Sequence, residues 1–357
     1  ADKGLRVADM NAVVPRTAAA WAAILGGTYP LTNEGTSRWA GELGEGAPGS
    51  VALPRALRSL GYATSFFTPA EVDFLDDRRI IDELGFAEVF AEKEVNRRGV
   101  PRVNYFGPPD EVLLDPIAEW TRTQVQAGRP FMTAIMTNVG HHAYETPPSW
   151  APVKFDGVPP ESALARYYNC LRYIDSVLAQ LMERYRQLGV LDNTVFVFVG
   201  DHGQLFGEHG LRQSFNAIYQ QGLQVPAVIY APGLITEARV AEGPRQQVDV
   251  MPTVLELLGL RMDGARLPGR SLLQPPQADR TLFFSSSIEW TQLAMRRGQR
   301  KYIYAFDRRP MRVFDLASDP GEMHPLEGIA PAEIEAAERA MLAWKVETEL
   351  STFRKPD

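Results

Sequence analysis

From Thr194 to Val199 the chain reads TVFVFV, apolar or β-branched at every position, and it breaks at Gly200. A run of this kind predicts a strand buried on both faces. The same reading places strands at 63–67, 131–138 and 225–230. Between them lie helical patterns: an Ala-rich stretch at 17–25, then 53–60 ending at Gly61, 76–84 stopping at Gly85, and 110–125. A long helix at 162–188 closes at Gly189, and another at 250–258 carries Pro252 in its first turn, where a missing N–H costs nothing. Helix alternating with strand predicts an α/β fold, with a mainly parallel central sheet flanked by helices on both faces.

The character changes after Pro275. Short strands at 281–286, 292–297, 301–306 and 311–315 alternate with turn residues, and a helix at 331–349 follows. The expected division is therefore a larger α/β domain at 1–275 and a small antiparallel β subdomain with a terminal helix at 276–357. Two Gly- and Pro-rich loops, 33–50 and 146–161, are long enough to shape a pocket.

Composition narrows the function classes. A chain of 357 residues can bury a large core, and a net charge of −7 without a Lys/Arg-rich face argues against a nucleic-acid partner. The single Cys170 falls inside the long helical pattern, which excludes an internal disulfide and suits a small buried hydrophobe. No apolar run is long enough to span a bilayer, and no signal-peptide pattern is visible. The chain starts at Ala1 without an initiator Met, which reads as a fragment or processed product.

Candidate chemistry gathers where strands end. Asp201 and His202 follow the 194–199 strand in a Gly-rich turn, the position where open α/β sheets bind ligands. A carboxylate beside an imidazole suits a divalent metal, with zinc or manganese first and calcium or magnesium as alternatives. Plain loop residues, an Asx-turn Asp beside an exposed His, are the other reading. His209 lies a few positions on, either as a ligand or substrate contact or as a polar loop residue. His141 and His142 follow the 131–138 strand, so four of the five histidines sit just after two predicted strands. His324, in the C-terminal region, reads as structural. Thr17 suits a helix N-cap. A hydroxyl there would also face the positive end of the helix dipole, which stabilises an oxyanion, phosphate or sulfate, but an alcohol needs a cation or base before it attacks.

Several segments in order resemble the sulfatase branch of the alkaline phosphatase superfamily. ADKGLRVADMNAVVPRT is similar to the segment leading to the nucleophile, AILGGTYP to the close of its helix, and PRALRSLGYATSFF to the segment after it. YIDSVLAQLMERYRQLGVLDNTVFVFVGDHG resembles the long helix and metal-binding strand, and QVPAVIYAPG, VDVMPTVLELLGL and FDLASDPGEMHPL resemble the elements beyond. Sulfatases of this branch oxidise a Cys or Ser, in C/S-x-P-x-R, to formylglycine. The corresponding residue here is Thr17, with Ala19 and Trp21 in place of the required Pro and Arg. Oxidised Thr would be a ketone, so the formylglycine route is not expected. Thr at this place instead resembles lipoteichoic acid synthases and phosphoglycerol or phosphoethanolamine transferases.

The resemblance implies a metal-dependent phosphotransferase or phosphodiesterase working through a phospho-threonine intermediate. It implies Thr17 as nucleophile and metal ligand, Asp201 and His202 as metal ligands, and His141 as a leaving-group contact. Arg16, His142 and His209 become substrate contacts. The implied substrates are phosphoryl-linked glycans or phospholipid head groups. The implied location is extracytoplasmic, with membrane association through a segment absent from this sequence. Sulfate-ester hydrolysis and non-catalytic binding of an anionic glycan or lipid head group are the alternatives. The family also places an acidic metal ligand at the end of its first strand, some tens of residues before the nucleophile. Only sixteen residues precede Thr17, and neither Asp2 nor Asp9 is expected to follow a strand, so that strand and ligand are expected to be missing.

Overall fold

The computed structural model describes residues 3–30, 52–72, 77–211, 217–262, 267–277, 279–286, 292–306 and 308–351. The 33–50 loop and Asp2 lie outside the described residues. In chain order the elements are β1 (Gly4–Asn11), α1 (Thr17–Gly26), α2 (Leu53–Ser59), β2 (Ala63–Phe67), α3 (Asp77–Leu84), β3 (Glu88–Phe90) and α4 (Glu92–Val95). A 3₁₀ turn at Asp110–Leu113 leads into α5 (Leu114–Gln126), followed by β4 (Phe131–Ile135), α6 (Ala163–Gln187) and β5 (Phe196–Val199). Then come α7 (Gln220–Leu223), β6 (Gln224–Val225), β7 (Ala227–Tyr230), β8 (Ala238–Gln246) and α8 (Val250–Leu257). The chain closes with β9 (Thr281–Ser285), β10 (Gln292–Arg297), β11 (Arg300–Ala305), β12 (Arg308–Asp315) and α9 (Pro331–Ser351).

The chain divides into two compact units, one of Ala1–Leu53 with Val195–Asp357, the other of Pro54–Thr194. The first unit holds a mixed sheet in the order β5-β7-β1-β6, with β8 also paired to β1. β8 runs parallel to β1, while β6 and β7 are antiparallel to β1 and β5 is antiparallel to β7. The same unit carries the antiparallel sheet β12-β11-β10-β9, as the alternation near the C-terminus predicts. Helix α9 covers that sheet with Ala337, Met341 and Trp344, which pack on Leu293, Met295, Tyr302, Tyr304 and Val313. The second unit is built on the parallel sheet β3-β2-β4. In it α6 starts at Ser162, whose hydroxyl accepts from Ala165 N–H at 3.1 Å, and buries Cys170, Tyr173, Val177, Leu181 and Tyr185 at helical spacing.

Most predicted elements appear within a residue or two of their predicted ends. The 225–230 strand is split because Pro226 offers no N–H to the ladder. Three strands, β1, the three-residue β3 and β8, have no counterpart in the sequence pattern. No strand is predicted before Thr17, yet Gly4–Asn11 is β1, with Leu5, Val7 and Met10 buried. A register shift between Val7 and Asp9 breaks the alternation that would have marked it. β8 is hidden by its polar sequence ARVAEGPRQ and is held as the parallel partner of β1. Among the described residues no helix is long and apolar enough to cross a membrane.

Candidate active site

Strand β5 ends at Gly200 and delivers Asp201 and His202 into a turn held by its main chain. Gly200 N–H donates to Pro226 O at 3.0 Å, and Gly203 N–H donates to Gly222 O at 2.9 Å. The turn lies so close to α7 that a Cβ on Gly203 would stand 2.0 Å from the Gln221 carbonyl oxygen. Only glycine permits that approach.

Thr17 is the first residue of α1 rather than its N-cap. Arg16 occupies the cap position, with extended φ −154° and ψ 134° and no side-chain cap bond. The Thr17 hydroxyl is therefore spent elsewhere: Oγ1 donates to Asp201 Oδ2 at 2.7 Å. Asp201 Oδ1 accepts the His202 N–H at 2.9 Å. His202 Nδ1 lies 2.8 Å from Gly203 O. A carbonyl only accepts, so Nδ1 carries a proton and Nε2 is the ring nitrogen turned toward Asp201. That Nε2 stands 3.5 Å from Asp201 Oδ2, with the His202 side chain 15% and the Asp201 side chain 44% exposed. Partial desolvation raises the Asp201 pKa, but charge attraction to His202, the Thr17 hydroxyl and the His202 N–H outweigh it and hold the carboxyl below its usual range.

The donor set fits a divalent cation: a carboxylate kept ionised, the Nε2 side of an imidazole and a hydroxyl, all converging. Asp201, His202 and Thr17 are the residues that would hold it. Among the described residues no group of three or more His, Cys, Asp or Glu side chains is placed to hold a metal. Asp9 does not join the set. It lies within β1 and is gripped by Arg296, Nη1 to Oδ1 at 3.1 Å and Nη2 to Oδ2 at 2.6 Å, and Asn11 Nδ2 adds a bond at 2.9 Å.

The structure brings together Thr17, Asp201 and His202 from the expected set. Arg16 precedes Thr17 directly, partly exposed, with its N–H bonded to Val14 O at 2.7 Å. His209 has a left-handed φ of 56° and stacks on Tyr219, ring centroids 3.5 Å apart. Arg312 also lies over that ring, 5.2 Å from its centroid. His141 and His142 belong to the Pro54–Thr194 unit. There Asp110 accepts the N–H groups of Asn138 and Val139 at 2.6 and 3.1 Å, fixing the chain beyond β4. His141 Nδ1 lies 3.1 Å from Tyr105 Oη, and its ring is 4.0 Å from Phe106; His142 is exposed. His324 is exposed, its N–H donating to Asp319 Oδ2 at 2.8 Å within a turn.

One contributor carries no signal in the sequence: Gln247, fully buried, donates through Nε2 to Asp201 O at 2.6 Å. Within the Pro54–Thr194 unit, Asp110, which fixes the chain beyond β4, falls in what reads as an ordinary helix start.

The Sulfatase family model matches residues 1–260 of this chain. Choline-sulfatase of Rhizobium meliloti (strain 1021) is 30% identical over 166 residues, 44% of this chain and 31% of that protein. The chain spans about a third of the length of the curated relatives it matches. The fold is similar to that of a protein in the alkaline phosphatase superfamily from Vibrio parahaemolyticus, with TM-score 0.76 and 18% identity over 99% of this chain and 81% of that one. It is also similar to the lipoteichoic acid synthase LtaP of Listeria monocytogenes, with TM-score 0.74 and 16% identity over 99% and 84%. At such identities the likeness concerns the fold alone, an alkaline-phosphatase-like α/β arrangement with a C-terminal antiparallel sheet and terminal helix. Homologues in the matched family are enzymes and typically bind a divalent metal ion. With more than half of its length covered by that model, the chain belongs to the sulfatase family.

Proposed function

We propose that this chain is the catalytic part of a metal-dependent phosphotransferase or phosphodiesterase, with Thr17 as nucleophile. The observation that carries the reading is the 2.7 Å hydrogen bond from Thr17 Oγ1 to Asp201 Oδ2. It points the Thr17 proton at Asp201 and leaves an oxygen lone pair of Thr17 available for attack. His202, with Nδ1 committed to Gly203 O, presents Nε2 to the same place. A divalent cation, when bound, lowers the pKa of the hydroxyl and offsets charge on the phosphoryl oxygens. In line, the Thr17 Oγ1–P bond forms as the P–O bond to the leaving alcohol breaks, and the proton given up by the Thr17 hydroxyl goes to the departing oxygen. Water or an acceptor alcohol then attacks phosphorus, the Oγ1–P bond breaks, and the proton of the attacking oxygen restores the Thr17 hydroxyl.

Thr17→Ala is expected to abolish turnover of an aryl phosphodiester with saturating manganese or zinc. Retained turnover would refute the covalent role.

The second reading, sulfate-ester hydrolysis, is favoured by the choline-sulfatase alignment. Threonine at position 17 lacks the chemistry of an aldehyde-forming Cys or Ser, which weighs against it. Turnover of aryl sulfate set beside aryl phosphodiester, on the same protein, decides between the two: faster sulfate hydrolysis overturns the first.

A further inference from the structure

The primary amide of Gln247 spans the two chain segments that carry the proposed site. Its Nε2 donates to Gly200 O at 2.9 Å and to Asp201 O at 2.6 Å, while Oε1 accepts the Val13 N–H at 3.3 Å. An amide offers two N–H donors and one carbonyl, and Gln247 engages both ends at once. The residue is completely buried. Its partners sit on opposite sides: Gly200 and Asp201 form the turn after β5, and Val13 lies in the link from β1 to α1, four residues before Thr17.

Both sides of this bridge are anchored. Val13 and Val14 pack with Ala23 and Val248 in one apolar cluster, and the Val13 carbonyl accepts Ser285 N–H at 3.3 Å. Gln247 opens the 3₁₀ turn Gln247–Asp249, and Asp249 in that turn is fully buried. Arg280 grips Asp249 with two bonds of 2.7 Å, and Arg270 N–H adds a third at 2.8 Å. The amide therefore extends from a rigid base. Among side chains of similar size only glutamine makes all three bonds, since Glu lacks the donors, Met lacks donors and acceptor, and Asn is one methylene short.

We propose that Gln247 is a positioning residue for the Thr17–Asp201 pair, tying the turn after β5 to the chain entering α1 and so setting the contact between hydroxyl and carboxylate. The catalytic consequence rests on the phosphotransfer reading above; the geometric one does not.

The test is Gln247→Met, close in volume, measured in two ways. Crystals of the variant are expected to show Thr17 Oγ1 and Asp201 Oδ2 beyond hydrogen-bond range with the fold intact. Turnover of the aryl phosphodiester is expected to lose about 100-fold in kcat, the scale of a misplacement of about 1 Å, with KM nearly unchanged. A folded Met variant that keeps the wild-type contact overturns the proposal, as does a rise in KM at constant kcat. Gln247→Asn keeps an amide and is expected to open the same contact with a smaller loss of stability. Failure of both variants to fold overturns positioning in favour of a purely structural role. Wild-type protein that turns over no phosphodiester defeats the functional reading instead, and the crystallographic distance still decides the role of Gln247.

Discussion

Thr17 Oγ1 donates to Asp201 Oδ2 at 2.7 Å, although 184 positions separate them in the chain. The bond orients the hydroxyl and helps to keep the carboxylate ionised, so each residue prepares the other. Asp201→Asn would keep an acceptor for the hydroxyl but remove the charge and one ligating oxygen. Wild-type protein is expected to gain about 2.7 kcal/mol of stability with manganese or zinc at 100 times its Kd. Thermal unfolding with and without the cation measures this. The gain should be largely lost in Asp201→Asn, and an equal gain in both proteins would remove Asp201 from the ligand set.

Gly203→Ala tests the turn itself. The new methyl would meet the Gln221 carbonyl oxygen at 2.0 Å, a backbone atom that cannot swing away. Overpacking of this kind costs about 1–3 kcal/mol, and the shift falls on the turn carrying His202. Urea denaturation should register the loss. The cation-dependent stabilisation should weaken with it, and a variant of wild-type stability would contradict the close approach.

Lys301 and Glu322 form a fully buried ion pair, Nζ to Oε1 at 2.9 Å. Burial depresses the Lys301 pKa to about 8, against the opposing charge of Glu322. Lys301 Nζ also donates to Gln220 Oε1 at 3.1 Å, and Glu322 accepts the Gln220 N–H, so the pair anchors α7, on which the Gly203 turn leans. Lys301→Met leaves Glu322 charged and uncompensated, at an expected cost of about 3–5 kcal/mol. The double variant Lys301→Met with Glu322→Gln should recover part of that loss. Strictly additive effects in urea denaturation would contradict direct coupling.

Asp110 supplies a pH dependence. Burial raises its pKa from 3.8 to about 7, against the bonds from Asn138 and Val139 N–H. The folded-state value stands above the unfolded one, so the native state holds this proton longer. Stability from this group is then expected to fall as pH rises from about 4 to about 7 and to level off above. The loss is roughly 1.4 kcal/mol for each pKa unit separating the two states. Denaturation midpoints at pH 5 and pH 7.5 should differ less in Asp110→Asn than in wild type. Equal differences would place the titration elsewhere.

Much of this molecule is legible in its local pattern. The apolar run before Gly200 marks β5, Ser162 marks the start of α6, and the short strands after residue 280 mark the antiparallel sheet, because periodicity, caps and turn glycines act over a few residues. Asp201 and His202 are legible for the same reason, as a strand end opening into a glycine turn. β1 and β8 are not, since polar side chains and a register shift mask strands that exist by pairing with each other. Thr17 reads as a helix cap, and its true partner is out of sight of any local rule. Gln247 has no visible role until Val13, 234 positions away, folds against it. Near neighbours thus specify which segments become helix or strand. Which hydroxyl meets which carboxylate is decided by sheet pairing and by buried amides, whose hydrogen bonds must be satisfied wherever the chain brings them together.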